Sequence, residues 1–252
     1  MLLGPHNSKN MKYAITLFSL AATVFTAQAQ FPKVLKDAAD KVTSGGASGI
    51  SNDEVIAGLK EALTKGAEGS VLKGSALDGF NKNELIRIPF PPEAEKMKST
   101  LNSIGMTKQV EEFELTMNRA AEEAAKEALP VLKDAVLGMS VGDGFAILKG
   151  GDNAATNYLN EKTNATLIEK FRPIVEKATA KVALTNYWTP LASGYNRATM
   201  LTGGKAVDPD LDAYVTDKAI AGLFKLIAQE EAKIRQDPMA RTTDLLQRVF
   251  GN

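Results

Sequence analysis

The chain has 252 residues, of which 44% are hydrophobic and 24% are charged, and its 30 basic side chains balance 30 acidic ones. This balance disfavours a nucleic-acid-binding protein, which needs a basic surface to contact phosphates. The chain contains no cysteine and one histidine, His6. The lack of cysteine excludes disulfide scaffolds, cysteine-based zinc fingers and thiol catalysis.

The first 29 residues have the pattern of a secretory signal peptide. Lys9 and Lys12 provide a positively charged start, and residues 13–25 are uncharged and mostly apolar. Residues 27–29, Ala-Gln-Ala, match the small-residue motif that precedes signal cleavage. The apolar stretch is shorter than the ~20 residues of a membrane-spanning helix. We therefore predict a cleaved leader and no transmembrane span in the mature chain.

Cleavage between Ala29 and Gln30 predicts a mature protein in the periplasm or elsewhere outside the cytoplasm. Translation starting at Met1 and translation starting at Met11 both fit this prediction. Because no cysteine follows the apolar stretch, we expect no lipid anchor. Cleavage removes two lysines, no acid and His6, which leaves 28 basic and 30 acidic residues and no histidine. A mature chain of this composition lacks the residues of histidine-based triads, cysteine dyads and histidine-ligated metal sites.

Residues 30–50 have the composition of a flexible linker. Ser51 and Glu54 then form a capping-box pattern, which predicts the start of the first long helix. The glycines between Gly66 and Gly79 predict an irregular segment after this helix. We expect residues 51–252 to form a single all-helical domain.

Residues 85–92, Leu-Ile-Arg-Ile-Pro-Phe-Pro-Pro, carry three prolines in four positions. Proline blocks helix formation and pushes the residue before it into an extended conformation. The segment therefore predicts an extended apolar strap rather than a central strand. Pro92 suits the first position of the next helix.

Apolar spacing predicts a helix over residues 108–129, which Pro130 breaks or kinks. Ser140 and Asp152 are typical N-cap residues of the two helices that follow. The second of these helices is expected to be interrupted at Pro173.

Asp208 and Pro209 predict the N-cap and first position of another long helix, and residues 245–250 predict a short final one. No stretch alternates apolar and polar residues over a convincing length. The predicted fold is all-α: an irregular multi-helix bundle with a proline-rich extended strap, without coiled-coil repeats.

Two arginines near apolar surfaces are candidate ligand-binding residues. Arg119 lies on a predicted helix near its packed side, where it can pair with Glu123 four residues later or bind a ligand anion. Arg87 in the strap allows the same two interpretations. Six glutamates crowd the same helix, which fits a solvated face better than a paired-carboxylate or metal site: Glu111, Glu112, Glu114, Glu122, Glu123 and Glu127.

Residues 150–153, Gly-Gly-Asp-Asn, make Asp152 and Asn153 further candidates. Two glycines before a helix can bring backbone N–H groups to an anion. The same residues are also explained as the end of one helix and the N-cap of the next, which we favour. Trp188 near two tyrosines can form a ligand-stacking patch or a core cluster, and we favour the core cluster.

Acids alternate at Asp208, Asp210 and Asp212, as at the start of a calcium loop. Ala213 and Ala219 stand where that loop needs glycine and glutamate. Acids in the first turn of a helix explain the pattern, because they interact favourably with the helix dipole. The sequence therefore predicts no metal ion and no cofactor.

Several long motifs match a known family. They include the helix that starts at Ser51 and the strap with the following residue, Glu93. Four further segments also match: Phe113–Glu122, Gly150–Thr156, Tyr214–Ala219 and Arg241–Leu246. From about Ser51 to Gly251 the chain resembles the bacterial domain of unknown function family 4197. The resemblance implies exported, all-helical proteins and supplies no catalytic residue.

These features favour an exported helical protein that binds a partner protein or a small apolar ligand without catalysis. The first alternative is a carboxylate-dependent enzyme, such as a hydrolase that uses paired acids. The second is a structural protein of the cell envelope.

Overall fold

The structure is a computed structural model that describes residues 51–203 and 205–236. The predicted signal peptide, the linker and the final helix over residues 245–250 lie outside these ranges. The described residues form eight α-helices and a 3₁₀ turn at Pro92–Ala94: α1 Asn52–Ser75, α2 Glu95–Ser103, α3 Thr107–Ala125, α4 Ala128–Leu137, α5 Val141–Lys149, α6 Ala154–Thr179, α7 Ala183–Thr202 and α8 Leu211–Gln236.

The described part of the chain contains no strand, which confirms the all-α prediction. Helices α3, α6 and α8 pack against one another, and α1 lies against α8 and α4. Their buried apolar side chains form a common core. Within residues 51–203 and 205–236, none of the helices has the length and hydrophobicity of a membrane-spanning segment.

The predicted capping box starts α1. Ser51 Oγ accepts a hydrogen bond from the Glu54 backbone N–H at 3.2 Å, and the Glu54 carboxylate accepts one from the Ser51 N–H at 2.9 Å. Ser140 and Asp143 form a second capping box at the start of α5. These hydrogen bonds satisfy N–H groups that a helix leaves without intrahelical partners.

Helix α1 continues to Ser75, so the prediction of an irregular segment from Gly66 to Gly79 was wrong for residues 66–75, and only residues 76–79 are irregular. Gly66 and Gly74 are buried in the helix. A Cβ atom at Gly66 would lie 3.6 Å from Glu230 Cβ of α8, and one at Gly74 would lie 3.5 Å from Leu226 Cδ1 of the same helix. A Cβ atom at either position would make an ordinary van der Waals contact with α8, so this stretch of α1 packs along α8. This packing offsets the helical cost of glycine, which is about 1 kcal/mol per residue.

Two of the predicted proline breaks are misplaced. Pro130 is the third residue of α4, and the chain breaks between α3 and α4 at residues 126–127 instead. At this position proline loses no intrahelical hydrogen bond, because the first four N–H groups of a helix have no partner. Pro173 lies inside α6, which continues to Thr179. Burial of Phe171 and Val175 on either side holds this helix together across the proline.

The N-cap predicted at Asp208 was also wrong by two residues. Asp210 Oδ1 accepts a hydrogen bond from the Ala213 N–H at 2.9 Å, just before α8 begins at Leu211. Asp208 Oδ1 accepts one from the Asp210 N–H at 2.8 Å. Asp208 therefore shapes the turn, and Asp210 caps the helix.

The strap turns at residues 84–86, has no helix or turn over residues 87–89 and bends at Phe90. Ile86, Ile88 and Phe90 are buried, whereas the residues between them are exposed, which fits the two-residue period of an extended chain. The buried Asn118 side chain of α3 accepts a hydrogen bond from the Ile88 N–H at 2.8 Å and donates one to the Ile88 carbonyl at 2.9 Å. The Asn118 side chain therefore satisfies both backbone groups of Ile88, as a neighbouring strand would do in a sheet.

Candidate functional site

A cleft of about 570 Å³ opens between helices α4, α5 and α6. Its volume falls in the range of small-molecule sites, roughly 300–1,000 Å³. The lining combines small apolar residues with charged and hydroxyl-bearing side chains: Pro130, Val131, Asp134, Ala135, Gly138, Asp143, Tyr158, Lys162, Thr163, Thr166 and Lys170.

One wall of the cleft is a single face of α6. Tyr158, Lys162, Thr166 and Lys170 follow one another at intervals of four residues, so they lie along the same side of the helix. Lys162 Nζ lies 5.8 Å from the centre of the Tyr158 ring. This cation–π contact places the first two residues of the row side by side.

Asp143 in α5 and Asp134 in α4 contribute negative charge to the cleft. The Asp143 carboxylate accepts hydrogen bonds from Ser140 Oγ at 2.7 Å and the Ser140 N–H at 3.0 Å. These hydrogen bonds, with a smaller contribution from the Lys162 charge, lower the pKa of Asp143 below its usual value. Burial, together with the nearby Asp143 charge, raises the pKa of Tyr158. At neutral pH the site therefore has a charged carboxylate beside a protonated phenol.

The charged residues of the cleft are not neutralised by ion pairs. Among the described residues, Asp134, Asp143, Lys162 and Lys170 take part in none of the salt bridges within 4.0 Å. Other charged groups beside the core are paired, such as Glu231 with Arg235. The Asp143 carboxylate is already hydrogen-bonded to Ser140, and Lys162 lies over the Tyr158 ring. Asp134 and Lys170 are the charged side chains of the cleft without such a contact among the described residues.

Arg87 lies outside the cleft and pairs with Glu114 at 2.6 Å. Lys98 of α2 contacts the other oxygen of the same carboxylate, also at 2.6 Å. Burial alone would raise the pKa of Glu114, but the hydrogen bonds from Lys98 and Arg87 outweigh burial and lower it. The buried Glu114 thus joins the strap and α2 to α3, and its assignment to a solvated helix face was wrong.

Arg119 pairs with Glu122 at 2.6 Å and with Asp78 at 2.7 Å, rather than with Glu123 as expected. Glu122 is also buried, against the prediction of a solvated face. Its Oε1 accepts hydrogen bonds from the N–H groups of Phe80 and Asn81, both at 3.1 Å. The cluster anchors the turn after α1, in which Asp78 has a positive φ of 64°.

Asp152 and Asn153 are exposed at the start of α6. The predicted N-cap at Asp152 was wrong, because Asn153 holds that position with a left-handed φ of 67° and no side-chain cap. The buried Glu231 of α8 accepts hydrogen bonds from the N–H groups of Ala155 at 3.1 Å and Thr156 at 2.9 Å. The protein's own carboxylate therefore occupies the helix end at which an external anion was considered.

Trp188 is 2% exposed and lies in an aromatic cluster. Its ring centre is 5.7 Å from those of Phe90 and Phe113, and its indole N–H donates to the Asp208 carbonyl at 3.1 Å. The cluster joins α7 to α3 and the strap. The Tyr187 side chain lies outside the described part of the structure.

A family model described as a protein of unknown function, DUF4197, matches residues 49–251. The chain belongs to the DUF4197 family. This match confirms the resemblance found in the sequence motifs. No curated protein and no solved structure matches the chain.

In this DUF4197 protein, the site residues predicted from the sequence lie outside the cleft, and three of them, Arg87, Arg119 and Trp188, make contacts that hold the fold together. None of the five candidates, Arg87, Arg119, Asp152, Asn153 and Trp188, lines the cleft. A signal was present in the four-residue spacing that begins at Tyr158, which places polar side chains along one helix face. No group of three or more acidic or histidine side chains suited to a metal ion occurs in the described ranges.

Proposed function

We propose that this DUF4197 protein is exported to the bacterial cell envelope and binds a small polar ligand, without catalysis, in the cleft between α4, α5 and α6. The observation that carries the proposal is the cleft itself, whose lining includes Asp134 and Lys170, charges of both signs that form no ion pair among the described residues. A charged group without a partner gains more from a complementary ligand than one already in an ion pair. The ligand we propose is therefore polar, in place of the apolar ligand favoured by the sequence.

The pKa shifts of the described carboxyl groups do not support the alternative of a carboxylate-dependent hydrolase. A carboxyl group that acts as a general acid near neutral pH needs a raised pKa. Among the described residues, each carboxyl with a resolved shift has a lowered pKa: Asp78, Glu114, Asp143, Asp210 and Glu230. These carboxylates are suited to stabilising positive charge rather than to donating protons.

Export is tested by the amino terminus of the protein isolated from the envelope fraction of a Gram-negative host. The signal-peptide pattern predicts that Gln30 is the first residue, because cleavage follows Ala29. Amino-terminal sequencing of the fractionated protein measures this directly. A chain that stays in the cytoplasm and still begins at Met1 or Met11 would contradict export.

Ligand binding is tested by native mass spectrometry of the same material. We expect the wild-type protein to carry a bound small molecule that denaturation releases. Thr166→Trp fills the middle of the cleft and should abolish this extra mass. Asn164→Trp is the matched control, because position 164 is exposed on α6 and does not line the cleft. It lies about 200° around the helix from position 166.

The control variant should retain the ligand as the wild-type protein does. Wild-type protein that carries no ligand would contradict the proposal and favour a structural role in the envelope. Equal ligand retention by Thr166→Trp and wild type would show that binding occurs outside the cleft.

A further inference from the structure

The end of α7 carries the two most exposed large apolar side chains of the described residues. Met200 is 86% exposed and Leu201 is 89% exposed. Neighbouring residues of a helix point about 100° apart, so two neighbours that are both this exposed lie where the helix projects from the bundle. Apolar side chains that are exposed together, rather than singly, mark a surface that contacts another apolar phase.

The projecting end of α7 is held at its base by the chain that follows it. The Asn196 side chain donates a hydrogen bond to the Val207 carbonyl and accepts one from the Val207 N–H, both at 2.7 Å. Val207 and Thr199 are buried. The chain after α7 therefore returns along the helix, and the turn that contains Met200 and Leu201 is closed at its base.

Two positively charged side chains flank the apolar pair. Arg197 precedes Met200 by three residues and Leu201 by four, a spacing that places it beside both on the helix surface. Lys205 lies in the returning chain, and both charged residues are exposed. Residues 177–207 contain four basic residues and no acidic one, although acids and bases are equal in number over the whole chain. This end of the molecule is therefore both apolar and positively charged.

A bilayer with anionic lipids fits such a surface better than a protein partner does. A standard protein–protein interface buries about 800 Å² on each partner, which two side chains do not supply. Peripheral membrane binding depends on the apolar area that is inserted and on the attraction of nearby lysines and arginines to anionic headgroups. Both contributions are present at the end of α7.

We propose that the α7 tip, formed by Arg197, Met200, Leu201 and Lys205, binds the surface of a bilayer that contains anionic phospholipids. Met200 and Leu201 insert at the boundary between headgroups and acyl chains, and the two positive side chains interact with lipid phosphates. This peripheral contact goes beyond ligand binding in the cleft, because none of the four residues lines the cleft.

Vesicle flotation tests the proposal with the full mature protein. The protein is mixed with vesicles of phosphatidylglycerol and phosphatidylethanolamine or with vesicles of phosphatidylcholine alone. We expect binding to the anionic vesicles to be at least about tenfold stronger than binding to the neutral ones. The difference should shrink as salt is raised, because ions screen the attraction between the tip and the headgroups.

A double variant tests insertion of the apolar pair. Met200→Gln/Leu201→Gln should weaken binding to the anionic vesicles by at least about tenfold, because the new side chains gain nothing by leaving water. Leu72→Gln/Leu77→Gln is the matched control, since these leucines are 72% and 78% exposed and lie outside α7. The control variant should bind as the wild-type protein does.

A second double variant tests the charges of the tip. Arg197→Gln/Lys205→Gln should weaken binding to the anionic vesicles by about tenfold. Lys108→Gln/Lys149→Gln removes the same net charge from exposed positions outside α7 and should change binding little. Circular dichroism of each variant checks that the helices are intact.

Wild-type protein that does not bind the anionic vesicles would overturn the proposal. Equal binding by wild type and Met200→Gln/Leu201→Gln would also overturn it, because the apolar pair would then not insert. Light scattering tests a second copy of the chain as the partner: wild-type oligomers that dissociate in this variant would contradict membrane binding. Native mass spectrometry of the cleft variants measures ligand binding separately, so failure of either proposal leaves the other standing.

Discussion

Replacing Glu231 with alanine is expected to lower the free energy of unfolding by about 3–5 kcal/mol, the typical cost of breaking one side of a buried ion pair. The Glu231 and Arg235 side chains are 5% and 8% exposed, and a guanidinium nitrogen of Arg235 lies 2.7 Å from Glu231 Oε1. The variant leaves a largely buried positive charge without this partner. It also removes the acceptor of the N–H groups at the start of α6.

Chemical denaturation measures the free energy of unfolding of the wild-type protein and of the variants Glu231→Ala and Asp217→Ala. Asp217 is an exposed acid on the same helix and forms no salt bridge with the described residues. Its replacement should change stability by less than about 0.5 kcal/mol. A Glu231→Ala variant as stable as Asp217→Ala would show that the carboxylate does not hold α6 and α8 together.

Replacing Asn118 with alanine is expected to cost about 3 kcal/mol of unfolding free energy. The side chain is fully buried and makes three hydrogen bonds, two to the Ile88 backbone and one to the Glu114 carbonyl at 2.8 Å. Alanine leaves the N–H and carbonyl of the buried Ile88 without these partners. Each unsatisfied buried group costs about 1–3 kcal/mol.

Thermal unfolding and amide hydrogen exchange test the role of Asn118. We expect a lower melting temperature and faster exchange at Ile88, because the strap loses its hydrogen bonds to α3. Asn160→Ala is the control, since Asn160 is exposed on α6. Unchanged exchange at Ile88 in Asn118→Ala would mean that apolar packing alone holds the strap.

Local signals in the sequence predicted the features that depend on neighbouring residues. The capping boxes at Ser51 and Ser140 each depend on two side chains three residues apart. The sequence predicted the complete box at Ser51 and the N-cap residue at Ser140, and both are present. The prolines of the strap fix an extended backbone wherever the segment packs. These features need no information about the rest of the chain.

Features that depend on distant residues were not predictable in the same way. The continuation of α1 through Gly66 and Gly74 depends on contacts with α8, more than 150 residues later in the chain. The cap of α6 comes from Glu231, 75 residues after Thr156. No local pattern indicates that a glutamate in one helix satisfies the first turn of another.

The burial of Glu114 was only partly predictable from the neighbouring residues. It lies four residues after Val110 and three before Met117, so helical spacing places it beside two buried side chains. The helical spacing therefore predicts that Glu114 is buried, but its negative charge favoured a position on a solvated helix face. The partners that make its burial tolerable come from the strap and α2.

The most direct test of the central claim is native mass spectrometry of the envelope-derived protein, with wild type compared with Thr166→Trp and Asn164→Trp. If the cleft between α4, α5 and α6 is the binding site, wild type and Asn164→Trp carry the same small molecule and Thr166→Trp carries none. An identical bound mass in all three proteins, or no bound mass in the wild type, would contradict the account.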